Sequence, residues 1–277
     1  PDVGKRVFVN IMPSDKELIE AWLSEKRGTK VSFLIPQKGD NKRLLEMAKE
    51  NAEESLKRHL KEREREHRRT IGASDRLQKA LGIPFALERI ECYDISNIQG
   101  TDKTASMVVF SDGKPNYKEY RKFKIKTVEG ADFASMKEVL NRRLTRGKKE
   151  YELSKKDGSE PTSGFGVIPS LIVIDGGKGQ LSSALSIAKE IGINIPMIGL
   201  AKKEEEIFIP NQSEPIIIEK DDEALKLLQR IRDEAHRFAV TYHRNLRYKR
   251  TIRSELDDIP GVGFERKLTL LRKFGSV

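Results

Sequence analysis

The period of the apolar positions changes several times along the chain, and each change marks an element. Arg6–Ile11 and Lys30–Ile35 are short apolar-rich stretches that predict strands. Between them, Ser14 and Glu17 have capping-box spacing and predict a helix through Leu23. From about Asn41, Leu44, Ala48, Ala52, Leu56 and Leu60 recur every four residues, giving a long helix with one narrow apolar stripe. Lys61–Arg69 is almost wholly charged. It reads as a solvated linker or protruding helix, with a nucleic-acid-contacting arm as the sharper alternative.

Period two then takes over. Ile90–Asp94 alternates, and Thr104–Phe110 and Tyr117–Ile125 predict two further strands joined by the turn Ser111–Pro115. A helix is expected over Asp132–Leu144. Lys148–Gly166 has no period and is expected to be a mobile surface insertion. Leu171–Ile174 is wholly apolar, the pattern of a strand covered on both faces. Leu181, Ala184, Leu185, Ala188 and Ile191 predict a helix closed by Gly192, and Pro196–Leu200 another buried strand. Ile207–Ile209 and Pro215–Ile218 suit a hairpin, and Asp221 or Asp222 caps a helix to about Asn245 or beyond. The order implies an α/β fold, a mixed sheet with helices on both faces. The zones are an α/β lead-in with a long charged helix (1–70), a core domain (71–253) and a short terminal segment (254–277).

Composition narrows the partners. Of 277 residues, 53 are Lys or Arg and 43 Asp or Glu, a net charge of +10 that points to a polyanion, nucleic acid before an anionic membrane surface. No apolar run approaches the roughly 18 residues of a membrane span. Cys92 is the only cysteine, which excludes an intrachain disulfide and a cysteine-cluster zinc site and fits a reducing, cytoplasmic location.

Asp94 shares a strand face with Ile90 and Cys92, where a carboxylate needs a partner. A metal ion or an arginine would serve; capping the turn Ile95-Ser96-Asn97 is the plainer alternative. Asp175 ends an apolar strand and precedes Gly176-Gly177-Lys178-Gly179, the place where sheets with helical crossovers bind ligands. The glycine run lacks Walker A spacing. Two strand-end carboxylates suit Mg²⁺ or Mn²⁺. On the last long helix Arg232, His236 and His243 share one flank, and helical spacing does not choose between the histidines. Lys226–Arg253 holds nine Lys or Arg against two acids, a candidate phosphate-backbone surface that includes Arg244, Arg247, Lys249 and Arg250; a solvated face is the alternative. Gly261 and Gly263 open a helix-like stretch and allow backbone amides to approach a phosphate.

Glu91-Cys92-Tyr93-Asp94-Ile95-Ser96, Gly130-Ala131-Asp132-Phe133, Leu171 through Leu181 and Arg232 through Ala239 resemble the C-terminal half of the UvrC family, the incision subunit of the bacterial nucleotide excision repair nuclease. Ile259–Gly263 is similar to the first hairpin of that family's helix-hairpin-helix module. The resemblance implies an RNase H-like domain over 71–253 and a partial helix-hairpin-helix segment over 254–277. It also implies incision 5′ to a lesion in double-stranded DNA, a UvrB–DNA complex as partner of the full-length protein, and Mg²⁺ or Mn²⁺. Carried over, Asp94, Asp175 and His236 are the catalytic and metal-binding set, and Asp132 is a further functional aspartate. Lys178 or Arg232 would steady the scissile phosphate. Arg244, Arg247, Lys249 and Arg250, with Gly261 and Gly263, would contact DNA. The family's amino-terminal GIY-YIG nuclease has no counterpart here, no UvrB-binding hairpin is evident, and the hairpin module stops after one unit. The chain is therefore expected to be part of a longer protein. The rival functions are a noncatalytic DNA-binding module with a decayed RNase H-like core, a resolvase of branched DNA, and an interaction scaffold working through residues 1–70.

Overall fold

The alternating stretch around Cys92 becomes the centre of a seven-stranded sheet. The computed structural model describes residues 3–97, 103–126, 132–201, 205–251 and 259–274, with only the backbone of 97, 132, 242–251, 264 and 271. Two compact units divide the chain, Pro1–Glu66 and His67–Val277.

In the smaller unit β1 (Arg6–Phe8) and β2 (Ser32–Leu34) pair in parallel around α1 (Lys16–Arg27). The capping box does not form: Asp15 is the N-cap and makes no side-chain cap hydrogen bond. The side chains of this helix serve β2 instead. Phe33 N–H donates to Glu20 Oε1 at 2.6 Å and Val31 N–H to Ser24 Oγ at 2.8 Å. Gly28, at φ +78°, ends the helix. α2 (Asp40–Arg69) keeps its charged end helical and buries none of its residues. Leu44, Met47, Leu56 and Leu60 lie exposed along it.

The larger unit opens with α3 (Ile71–Ala80), a helix not anticipated from the sequence, which buries Ala73 and Leu77 four residues apart. The sheet strands are β3 (Arg89–Asn97), β4 (Lys103–Ser111), β5 (Lys114–Pro115), β6 (Arg121–Lys124), β7 (Leu171–Asp175), β8 (Met197–Leu200) and β9 (Ile207–Phe208). Their order is β5-β4-β3-β7-β8-β9, with β6 also on β4. β3, β7 and β8 run parallel; β4 is antiparallel to β3 and β6, and β9 to β8. The expected mixed sheet is present. α4 (Asp132–Lys156) and α5 (Lys178–Ile191) pack together, α6 (Glu223–Thr251) lies on β3 and β4 and against α3, and α7 (Phe264–Phe274) closes the described chain.

Two boundaries differ from expectation. A 3₁₀ turn at Tyr117–Glu119 shortens the third strand to the four residues of β6. Lys148–Lys156 continues α4, so only the residues after it are loop. The expected pairing of Ile207–Ile209 with Pro215–Ile218 is present as one antiparallel bridge, Ile207 to Ile216, and β9 also joins β8. Asp222 is the cap of α6, its Oδ1 accepting from Ala224 N–H at 2.8 Å.

Candidate active site

Alternation along β3 sends two sets of side chains to opposite faces. Glu91 faces α4. Arg143 of α4 donates to it twice, Nε to Oε2 at 3.1 Å and Nη2 to Oε1 at 2.7 Å. Arg89 Nε adds a bond of 2.9 Å and the Tyr93 hydroxyl one of 2.7 Å. Burial works against the Glu91 carboxylate, but the Arg143 and Arg89 charges outweigh it and hold the pKa below the ordinary value. Arg143 also donates to the carbonyls of Phe165 (2.7 Å) and Val167 (2.9 Å), tying down the segment that enters β7. Phe165 itself is buried and stacks on Phe123 with ring centroids 6.3 Å apart. The expected mobile insertion is thus helical at its start and pinned at its end.

Asp94 faces α6. The parallel β3–β7 ladder runs in register to Tyr93–Ile174, so the next step sets Asp94 beside Asp175. Both are buried. β3 continues to Asn97 against β4, so Ile95–Asn97 is strand and the capped-turn alternative for Asp94 falls. Asp94 stands where β7 leaves β3, at the carboxyl end of β7. The Cys92 thiol records the convergence. Burial pushes its pKa well up, the charges of Asp175 and Asp94 push it further, and Arg232 offsets part of the rise.

His236 of α6 presents Nδ1 3.9 Å from Asp94 Oδ2, beyond hydrogen-bond range but close enough for attraction when protonated. Its side chain is 60% exposed, so the ring stands at the mouth of the site. Arg232, one turn earlier, pairs with Glu205 at 2.9 Å and Asp233 at 3.4 Å. Lys178 is engaged elsewhere: its ammonium donates to the Ser213 carbonyl and lies 5.2 Å from the centre of the Phe208 ring.

The glycine turn after Asp175 starts α5, with Gly177 as its N-cap. A Cβ on Gly179, in the first turn of α5, would come within 2.6 Å of the Phe133 ring, so the start of α5 abuts the first residues of α4. Asp132 begins that helix, but its side chain lies outside the described residues. So do those of His243, Arg244, Arg247, Lys249 and Arg250. Gly261, at φ +89°, and Gly263 lead into α7 as the sequence implied.

Among the described residues, no three His, Cys, Asp or Glu side chains gather closely enough to hold a metal ion. The donors that do meet, two carboxylates from rigid neighbouring strands, are the hard oxygen ligands that fit Mg²⁺ or Mn²⁺, ions that keep several sites for water and substrate phosphate. His236 borders this pair.

Residues 78–240 match the family described as the UvrC RNAse H endonuclease domain, and residues 1–59 the UvrC Ribonuclease H-like domain. The chain belongs to the UvrC RNase H endonuclease family. The seven-stranded sheet, Asp94, Asp175 and His236 all fall inside the first match. The UvrABC system protein C of Dehalococcoides mccartyi (strain ATCC BAA-2100 / JCM 16839 / KCTC 5957 / BAV1) is 47% identical over 277 residues, 99% of this chain and 44% of that protein. Its counterpart in Acidothermus cellulolyticus is 42% identical over 290 residues, 100% of this chain and 45% of the relative. The chain thus spans about half the length of the curated relatives it matches. Among solved structures, human ENDOV is 18% identical, covering 50% of this chain and 61% of that one at a TM-score of 0.28. Among the described residues no helix is long and apolar enough to cross a membrane.

Two contributors escaped the sequence reading. Ser106 lies opposite Asp94 and donates to the Ala235 carbonyl of α6 at 3.3 Å. Arg143 meets Glu91 across 52 positions of chain. A buried-face glutamate in a strand is the one signal that could have called for such a partner.

Proposed function

We propose that this chain is the metal-dependent endonuclease portion of a bacterial excision-repair nuclease. It cuts double-stranded DNA 5′ to a lesion, in the cytoplasm, on a UvrB–DNA complex that the full-length protein engages. The observation that carries this is the side-by-side burial of Asp94 and Asp175 where β7 leaves β3, with the His236 imidazole 3.9 Å from Asp94. The name UvrABC system protein C borne by the bacterial relatives supports it.

Asp94 and Asp175 would hold Mg²⁺ or Mn²⁺. A divalent cation there supplies charge that offsets the build-up on the phosphate and eases deprotonation of water. The sheet's share is placement, since paired backbones fix both carboxylates without side-chain reorganisation. Water attacks phosphorus in line as the bond to the 3′ oxygen breaks, and that oxygen takes up a proton. His236, facing Asp94 on one side and solvent on the other, is positioned to give or accept that proton. Of the two basic candidates for the scissile phosphate, Arg232 is the better placed, one turn before His236 on α6, whereas the Lys178 ammonium is held by the Ser213 carbonyl. Asp132, and the backbone contacts of Arg244, Arg247, Lys249, Arg250, Gly261 and Gly263, belong to the same proposal.

Nicking of supercoiled plasmid with Mn²⁺, Mg²⁺ or EDTA tests it, beside Asp94→Ala and Asp175→Ala. Metal-dependent nicking should vanish in both variants while DNA affinity stays near wild type. Equal nicking by the variants refutes the assignment. Absence of both nicking and calorimetric Mn²⁺ binding in the wild type would favour the noncatalytic alternative.

A further inference from the structure

Strand register builds a row of side chains beginning at the carboxylates. Asp94 on β3 lies opposite Ser106 on β4, and Ser106 lies opposite Lys122 on β6. With Asp175 beside Asp94, four strands contribute Asp175, Asp94, Ser106 and Lys122 in sequence. Residues directly opposed across a ladder share a face. That face is the α6 side, where Ser106 Oγ donates to Ala235 and Lys122 Nζ lies 4.6 Å from the centre of the Phe238 ring. A second row runs beside it: Ser96, Thr104 and Lys124. Phe123, between the two lysines, is buried on the opposite face, so alternation holds Lys122 and Lys124 outward on the site's side.

At about 4.8 Å per strand, β6 lies roughly 10 Å from the strand of Asp94, and the two lysines stand about 7 Å apart along β6. Between cations and carboxylates sit the buried hydroxyl residues Thr104 and Ser106. The Phe238 ring partly covers the Lys122 ammonium and strips some of its water, which strengthens its attraction for an anion. Lysines on an edge strand also discourage strand addition. That explanation accounts for charge on β6 but not for its alignment with the two aspartates.

We propose that Lys122 and Lys124 bind backbone phosphates of the DNA strand to be cut, holding it along the exposed β6 edge beside the α6-covered row that leads to Asp94 and Asp175. This rests on the nuclease reading above. The test compares Lys122→Gln/Lys124→Gln and Lys122→Arg/Lys124→Arg with wild type. Binding of a fluorescent duplex is measured from 50 to 200 mM salt, together with Mn²⁺-dependent plasmid nicking against DNA concentration.

For the Gln variant, the slope of log affinity against log salt should become shallower by about 2, roughly 0.9 for each phosphate no longer neutralised. Its KM should rise in step with Kd while kcat at saturation stays within about twofold, and the Arg variant should behave as wild type. An unchanged salt slope and KM overturns the proposal. So does an unchanged slope with new self-association, which assigns the lysines to edge protection. Wild-type nicking with an unchanged variant slope sinks only the lysine–phosphate assignment. A shallower variant slope with neither nicking nor calorimetric Mn²⁺ binding by the wild type sinks only the nuclease reading.

Discussion

The buried pair behind the site gives the sharpest test of how the sheet is held. Arg143→Ala removes four hydrogen bonds: two to Glu91 and one each to the Phe165 and Val167 carbonyls. Glu91 would stay wholly buried with only Arg89 and Tyr93 as partners. Breaking a buried pair from one side typically costs about 3–5 kcal/mol, because the remaining charge keeps its desolvation penalty. For a unit of this size that is roughly 6–20 °C in Tm. The pH dependence has a definite sign. Glu91 has a depressed folded-state pKa, so its contribution is fully present above the ordinary glutamate value near 4.3 and is lost as pH falls below it. Without Arg143, burial pushes the Glu91 pKa upward, and the variant gains from protonation what the wild type loses. The stability gap should therefore be largest at pH 7 and narrow by pH 3. Trp22, the sole tryptophan, sits in the other unit and would miss the effect. Far-UV circular dichroism in urea, with amide exchange in β3 and β7, is the appropriate readout. A gap under about 1 kcal/mol at pH 7, or one equal at pH 7 and pH 3, refutes the reasoning.

Other consequences are simpler. Gly113→Ala should cost about 2 kcal/mol or more, since φ is +73° and the new Cβ would meet the Thr70 carbonyl oxygen at 2.5 Å. Gly192→Ala has a comparable φ, but its Cβ would meet nothing nearer than the flexible Lys148 ammonium at 3.9 Å, so it should cost only about 1 kcal/mol in the same urea titrations. Cys92 is fully buried with a raised pKa, so a thiol reagent at pH 8 should react only as fast as the protein unfolds; labelling within minutes under native conditions would contradict its placement. Asp222→Ala removes the α6 cap and should lower stability by about 1 kcal/mol. Because Arg76 and Ala224 N–H depress the Asp222 pKa, that loss should fade as pH drops below about 4, read as converging urea midpoints.

What was legible in the sequence follows from which interactions are local. Asp175 stood out because a fully buried parallel strand is apolar throughout, so a carboxylate and three glycines at its end break the pattern sharply. Gly192, and Asp222 as one of two adjacent candidates, were readable because a cap is a contact within a few residues. Lys148–Lys156 was not readable as helix, because this solvated end of α4 carries no apolar period even though Lys, Glu and Leu propagate a helix well. The expected capping box failed for the opposite reason: tertiary contacts recruited Glu20 and Ser24 to β2 while Ser14 stayed outside the helix. His236 and His243 are equivalent by helical period. The resemblance to the family pointed to His236, and the fold places it 3.9 Å from Asp94 because α6 crosses there, with Ala235 and Phe238 set against β4 and β6.

Glu91 and Asp94 lie three positions apart on one strand and meet opposite environments because strand alternation puts them on opposite faces. Behind the sheet, Glu91 is neutralised by Arg143 and Arg89. In front, Asp94 lies beside another acid, Asp175, and 3.9 Å from the His236 imidazole. A slip of one residue between β3 and β7 would turn Glu91 and Asp94 to the wrong sides and separate Asp94 from Asp175. Arg143 guards against that slip. Its guanidinium grips β3 through Glu91 and the approach to β7 through the Phe165 and Val167 carbonyls, so both strands that carry the acids are indexed to one rigid group. The side-by-side placement of the two acids on the α6 face is therefore held in register by the Arg143–Glu91 pairing on the face behind it.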